Sequence, residues 1–281
     1  MTSRVTRRRM ATTLLGLWAA SAIPCGRRVL AAGPWRVDPA QVVPLDRMAP
    51  EHRGEVSEVI RDHTIHRKGS PDTFPCQSSI YLSLVNEPAI TLALWQDLAD
   101  SPVHLRQLSP GRYEGSDGNG ASATWEFVHR SPTLHVLLCR LDYTSPRGNA
   151  HLEGRIVLIV RSGFFRESSG EPVVRHDVEA FVKVDSKGWK TLARTVRPLL
   201  EKVLEDQVQE AGLFVSLMGR LVETYPNWAC QVAMEKAQTT PEAKQAFREA
   251  VLSHRRKGAS AARPSINNDA AQAQADTRRR S

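Results

Sequence analysis

What this chain lacks narrows its chemistry first. It holds only four cysteines in 281 residues, Cys25, Cys76, Cys139 and Cys230. No two of them form a C-x-x-C pair, so dithiol redox chemistry and thiolate metal centres have no motif here. Ser168-Ser169-Gly170 lacks the G-x-S-x-G surroundings of a nucleophile elbow. Neither glycine-bearing stretch, residues 111–120 or 163–170, leads from a strand into a helix as a phosphate loop must. His63 and His66, with Cys76 ten residues on, have no fourth ligand at a suitable spacing and adjoin the basic pair Arg67 and Lys68. The chain is therefore expected to carry no metal and no cofactor. No stable transmembrane span is expected either, because no uncharged apolar run reaches the roughly 20 residues that a spanning helix needs.

The apolar run that stands out is Ala11 to Pro24, 14 residues long, directly after Thr6-Arg7-Arg8-Arg9-Met10. A cationic start, a short apolar run and small-residue sites at Val29-Leu30-Ala31 or Leu30-Ala31-Ala32 make a signal-peptide pattern. The consecutive Arg7 and Arg8 match the bacterial twin-arginine type, and Arg27 and Arg28 before the cleavage site suit that route. The expected location is the periplasm or cell envelope, with the twin-arginine translocase a partner during export. An uncleaved anchor is the other reading of the run, and Cys25 after Ala22-Ile23-Pro24 makes a poor lipid-attachment site. Without the signal three cysteines remain. Oxidation outside the cytoplasm could pair Cys76 with Cys230, and spacing alone leaves that open.

A net charge of +8 invites a nucleic-acid reading, but its distribution does not support one. Residues 1–31 carry six arginines and no acid, and residues 255–281 carry seven basic and two acidic groups, which leaves residues 32–254 at −3. A mildly acidic body is no footprint for phosphates, so no nucleic-acid partner is expected. With 41% hydrophobic and 24% charged residues the chain is an ordinary globular one, long enough for one good core.

Periodicity then gives the organisation. Prolines 34, 39, 44 and 50 make residues 33–50 extended, and Val56, Val59 and Ile60 place a short helix over Glu51 to His63. Thr64 to Arg67 is a short strand, followed by a loop through Asp72. Ile80, Tyr81, Leu84 and Val85 share one helical face, and Pro88 starts a second helix with Ile90, Leu94, Trp95 and Leu98 as its buried stripe. From Val103 the period becomes two, with turns at Asp117-Gly118-Asn119-Gly120, Ser131-Pro132, Ser145 to Asn149 and Glu167 to Gly170, which implies an antiparallel meander. In the last strand Val174, His176, Val178, Ala180, Val182 and Val184 share one side, and Arg175, Asp177, Glu179 and Lys183 share the other, so one sheet face is expected to be buried. Its cover should be an amphipathic helix from Lys187 to Tyr225, about 58 Å long if unbroken, with Pro198 and Gly212 dividing or kinking it. A further helix occupies 229–257, and the polar tail 258–281 is expected to be disordered.

Two short helices, a meander and one long amphipathic helix form an order of elements that is similar to the START-like superfamily, also called Bet v 1-like or polyketide-cyclase-like. The Asp117 to Gly120 hairpin, the Val174 to Val184 strand and the Asp185-Ser186 step into the Trp189 helix carry the resemblance. It implies an α+β helix-grip domain over residues 64–228, preceded by a lead-in segment at 33–63, with a cavity between sheet and helix. It also implies a lipid or other apolar ligand, or in some members cyclase or hydrolytic chemistry.

His176, the polar residue on the apolar side of the last strand, would face that cavity, with Val178 next on the same side. Trp125, Phe127 and His129 share one alternation on their strand, and His135 and Tyr143 share another with Leu137, Cys139 and Leu141. His176, Trp125, Phe127, His129, Tyr143 and Val178 are the candidate ligand contacts, and each is also compatible with plain packing. Three functions follow: a non-enzymatic binder of a lipid-like molecule, an envelope interaction or scaffold protein with a packed core, or a cavity enzyme with His176 as acid or base.

Overall fold

The computed structural model describes residues 38–118, 120–144, 151–185 and 214–261, with side chains described through Ser253. The period-two stretches form a single antiparallel sheet of β1 (Ile65–Lys68), β2 (Asp72–Pro75), β3 (His104–Ser109), β4 (Arg112–Ser116), β5 (Ala121–Arg130), β6 (Leu134–Thr144), β7 (His151–Arg166) and β8 (Pro172–Val184). Strands β3 to β8 run as a meander. β1 and β2 both pair with β8, giving the order β1-β8-β7-β6-β5-β4-β3. Sequence periodicity missed β2, four residues whose anchor is the fully buried Phe74 and whose register places Asp72 opposite His176.

The β4–β5 connection is the turn that its residues demand. The Asp117 carboxylate accepts from the Ala121 amide at 2.9 Å, and Gly118 and Gly120 hold φ of 70° and 103°. At Gly120 glycine is required twice over, since a Cβ there would stand 2.1 Å from the Thr144 carbonyl oxygen.

The helices are α1 (Pro39–Val42), α2 (Pro50–Arg61), α3 (Ser78–Asn86), α4 (Pro88–Leu98), α5 (residues 214–224), α6 (Pro226–Lys236) and α7 (Pro241–Ala261). Pro39 and Pro50 start α1 and α2 instead of keeping the segment extended, because each stands first in its helix, where its missing N–H costs nothing. The expected helix over 229–257 is two helices. Ala237 turns extended at the end of α6, and Pro241 with the Thr240 hydroxyl, which accepts from the Ala243 amide at 3.3 Å, starts α7. Of the expected Lys187–Tyr225 helix, α5 is the described part, and Pro198 and Gly212 lie outside the described residues, as do the signal, the Ser145 to Asn149 turn and the tail from residue 262. Leu98, assigned to a buried stripe by spacing, is 51% exposed, and Tyr225, the expected end of the long amphipathic helix, is 58% exposed.

Both faces of the sheet are covered. On one, α3, α4, α5, α6 and α7 enclose Ile80, Tyr81, Leu84, Ile90, Leu94, Met218, Val222 and Phe247. α5 approaches β2 closely because Gly219 faces Cys76 and Phe74, where a Cβ would meet the Cys76 Sγ at 3.1 Å. On the other face α2 lays Val56, Val59 and Ile60 against Val136, Leu138, Val157, Ile159 and Phe181. The expectation of a single buried face is thus incomplete. The charged side of β8 is the rim of the α2 interface, with Phe181 buried beneath it. Around that rim Glu58 hydrogen-bonds Arg155 and Lys183, which hold its carboxyl down at about 2 against a small opposing effect of burial. Arg155 also binds Asp185, and Glu179 binds both His66 and Arg161. Burial alone would raise the Glu179 carboxyl, and those two hydrogen bonds outweigh it and keep the group below its ordinary range. The element order, the meander and the helices packed on its inner face define an α+β fold of the helix-grip type. No helix among the described residues is long and apolar enough to cross a membrane.

Candidate ligand cavity

A cavity of about 250 Å³ lies between the sheet and the helical layer. Its helical wall is Leu84 and Val85 from α3, Pro88, Thr91 and Leu92 from α4 and its lead-in, and Phe214 and Val215 from the start of α5. Its sheet wall crosses six strands, and the pairing explains how. Phe127, Leu137 and Leu158 are directly opposite one another on β5, β6 and β7, and Val160 pairs with Val178 on β8. Residues paired across an antiparallel ladder put their side chains on one face, so a row across the sheet becomes one apolar surface. Trp125, Tyr113, Leu105, Val103 and His176 complete it.

Thr91, Tyr113 and His176, polar side chains of this wall, each bond to other groups of the protein. Thr91 Oγ1 donates to the Leu84 carbonyl at 2.7 Å. The Tyr113 hydroxyl donates to Glu87 at 3.4 Å, and Glu87 also accepts from Thr239 at 3.3 Å. Burial raises the Glu87 carboxyl above its ordinary value, with the Thr239 hydrogen bond, Arg130 and Tyr113 opposing. His176 is 2% exposed, and its Nδ1 is 3.3 Å from the Tyr81 hydroxyl, which is itself 2.7 Å from Ser162 Oγ. The ring is held edge-on by Phe74 and Tyr81, at centroid distances of 5.3 and 5.7 Å. Burial pushes the Tyr81 phenol up to about 12, so it stays a neutral hydrogen-bonding group. An apolar hollow with so few polar atoms favours an apolar guest and gives it little directional recognition.

Of the candidate contacts, the cavity brings together His176, Val178, Trp125 and Phe127. His129 is not among them. A β-bulge between Phe127 and His129 shifts the register, so that His129 pairs with Val136, whose side chain belongs to the α2 face. Arg130 takes the inward position instead, its guanidinium 3.8 Å from the centre of the Phe127 ring. Tyr143 keeps the inner face, in a cluster with Ala121, Leu141, Ile156 and Val178, but does not line the cavity. Sequence reasoning missed Leu84, Thr91, Tyr113, Leu137, Leu158, Val160 and Phe214 as wall residues. Alternation marks the inward parity of the strand positions, but their alignment depends on register, which no local pattern encodes.

Elsewhere, His63 and His66 meet Phe181 on the α2 face, with Nδ1 of His63 donating to the Ile60 carbonyl at 2.7 Å, while Cys76 lies in the opposite core. Cys76, Cys139 and Cys230 are free thiols, all three pushed up by burial. Among the described residues Asp142, His151 and Glu153 group three ligand-type side chains. All three are exposed, and a 2.9 Å hydrogen bond between His151 and Asp142, with Asp142 directly opposite Glu153 across β6 and β7, accounts for their closeness.

No protein-family model and no curated protein matches the chain. Solved structures similar to it include a hypothetical protein of Helicobacter pylori, 12% identical over 72% of this chain and 100% of that one, with a TM-score of 0.35. A conserved protein of Geobacillus kaustophilus is 12% identical over 53% of this chain and 95% of its own, with a TM-score of 0.34. Ara h 8.0201 is 12% identical over 51% and 97%, with a TM-score of 0.28. At these scores the fold assignment rests on the strand order and helix positions of the chain itself.

Proposed function

We propose that this protein is an exported, non-catalytic carrier or sensor that holds a small apolar or amphipathic molecule between its sheet and the helical layer. The observation that carries the reading is the cavity beside His176, which a fully packed scaffold protein would not keep. Burying a guest's apolar surface there is worth about 25 cal/mol per Å², enough for micromolar binding from a modest ligand without any charged contact. Fluorescence of the neutral probe N-phenyl-1-naphthylamine tests it. The probe is expected to brighten on the purified protein, and Leu158→Trp, which fills the middle of the sheet wall, to weaken its binding at least tenfold without loss of folded structure. A wild-type protein that takes up no probe would overturn the reading.

The export half of the proposal rests on Arg7, Arg8 and the apolar run behind them. A reporter fused behind residues 1–40 is expected to reach the periplasm, and to stay in the cytoplasm when Arg7 and Arg8 are both replaced by Lys. Continued export of the Lys pair would remove the twin-arginine route.

A further inference from the structure

The cavity has a neighbour whose chemistry is different. A cleft of about 430 Å³ opens between α4, the edge strand β3 and its neighbour β4, and the end of α6, and Leu92 and Leu105 line both spaces. Apart from Ala89, Ala93 and Gly115 its other lining is polar, with Gln96 on α4, His104 and Arg106 on β3, Glu114 on β4, and Lys236 with Gln238 at the end of α6. Its charges sit at the rim. Arg106 and Lys236 have side chains 68% and 55% exposed.

Two facts give a ligand's orientation. The apolar cavity supplies no ionic group, so a charged end buried in it would meet the full cost of desolvation. The cleft across the Leu92–Leu105 wall supplies two cations against one lining carboxylate, Glu114. Arg106 reaches Glu114 through one nitrogen at 2.6 Å, and Lys236 reaches Asp97, outside the lining, through one contact at 2.5 Å. A guanidinium carries five N–H donors and an ammonium three, so each cation retains donor capacity after these contacts. An anion placed between them would gain charge-assisted hydrogen bonds at a site that stays wet.

We infer that the ligand is a single-chain amphiphile with an anionic head, its tail passing between Leu92 and Leu105 into the cavity and its head held by Arg106 and Lys236. This rests on the binding function proposed above and adds the head's charge and place. The α6 end that contributes Lys236 lies beyond the grip of sheet and α5, which makes the head site a feature of this chain's C-terminal helices.

Displacement of N-phenyl-1-naphthylamine by four ten-carbon compounds tests it: decanoate, decyl phosphate, decanol and decyltrimethylammonium, each below its micelle concentration. Decanoate or decyl phosphate is expected to displace the probe at a concentration at least tenfold below that of decanol or the ammonium compound, and whichever anion is stronger identifies the head as carboxylate or phosphate. In the Arg106→Glu, Lys236→Glu double variant the anion preference is expected to vanish or reverse while probe and decanol bind as in the wild type. Lys236→Gln alone should lower the preference about threefold. Normal probe binding with no anion preference, or a preference unchanged in the double variant, overturns this inference alone. A probe that does not bind the wild type overturns the cavity reading and this inference with it.

Discussion

Replacing Phe181 by Ala is expected to lower the free energy of unfolding by about 3–5 kcal/mol, the range for emptying a large aromatic site in a close-packed core. Phe181 is fully buried between Val56, Val59 and Ile60 of α2 and Leu138 and Val157 of the sheet. His66 stacks on its ring at 4.3 Å with 12° between the planes, and His63 meets it edge-on at 5.5 Å. Removing the ring would strand two imidazoles and open a void that α2 cannot close, because its middle is pinned by Glu55 to Arg140 and Glu58 to Arg155. Urea denaturation of the two proteins measures the difference. A loss below about 1 kcal/mol, the size expected at a solvated sheet position, would show that α2 does not seal this face.

The parity of β8 hides this core. Residues 175, 177, 179 and 183 read as a solvated side because four of the five inward positions between 175 and 183 on the α2 face are charged. Asp177, Glu179 and Lys183 each have an ionic neighbour brought from elsewhere, such as His66 and Arg161 for Glu179 and Glu58 for Lys183, whose sequence separations run from 18 to 125 residues. Local alternation has no access to such partners. By contrast, the bounds of β8, the stripe of α3, the start of α4 at Pro88 and the Asp117 to Gly120 turn were all legible, since each depends on contacts or dihedral preferences within a few residues. The cavity falls between these cases. His176, Val178, Trp125 and Phe127 follow from strand parity and the resemblance in element order, whereas one inserted residue, the bulge after Phe127, carries His129 to the far face. Its only trace in the sequence is Val128, an apolar residue out of phase.

Lowering the pH from 7 to 4.5 is expected to reduce stability by about 2 kcal/mol through one residue, His135. It lies on β6 with 1% of its surface exposed, and its Nε2 is 3.1 Å from the Asn86 side-chain oxygen. That oxygen only accepts, so Nε2 is the nitrogen that carries the proton of the neutral ring. A second proton would go to Nδ1, which is buried without a hydrogen-bond partner among the described residues. Burial first, then the charges of Arg130 and His129, pulls the imidazole down to about 4. The unfolded chain, with an ordinary value near 6.5, therefore binds the proton more tightly than the folded one. The stabilisation is fully present above about 6.5 and is lost as the pH falls toward 4. The carboxylates held down by partners act in a lower window, since Glu58 loses its contribution only between about 4.5 and 2. His151, raised by Asp142, has the opposite sign and is fully exposed. Urea unfolding at pH 7 and pH 4.5 isolates the effect, with His135→Gln keeping a neutral donor for Asn86 and removing the titration. The variant should be less stable than the wild type at pH 7 and lose less on acidification, so that the two proteins converge near pH 4.5. An equal acid loss in both would mean that the His135 imidazole accepts its proton in the folded state as readily as in water.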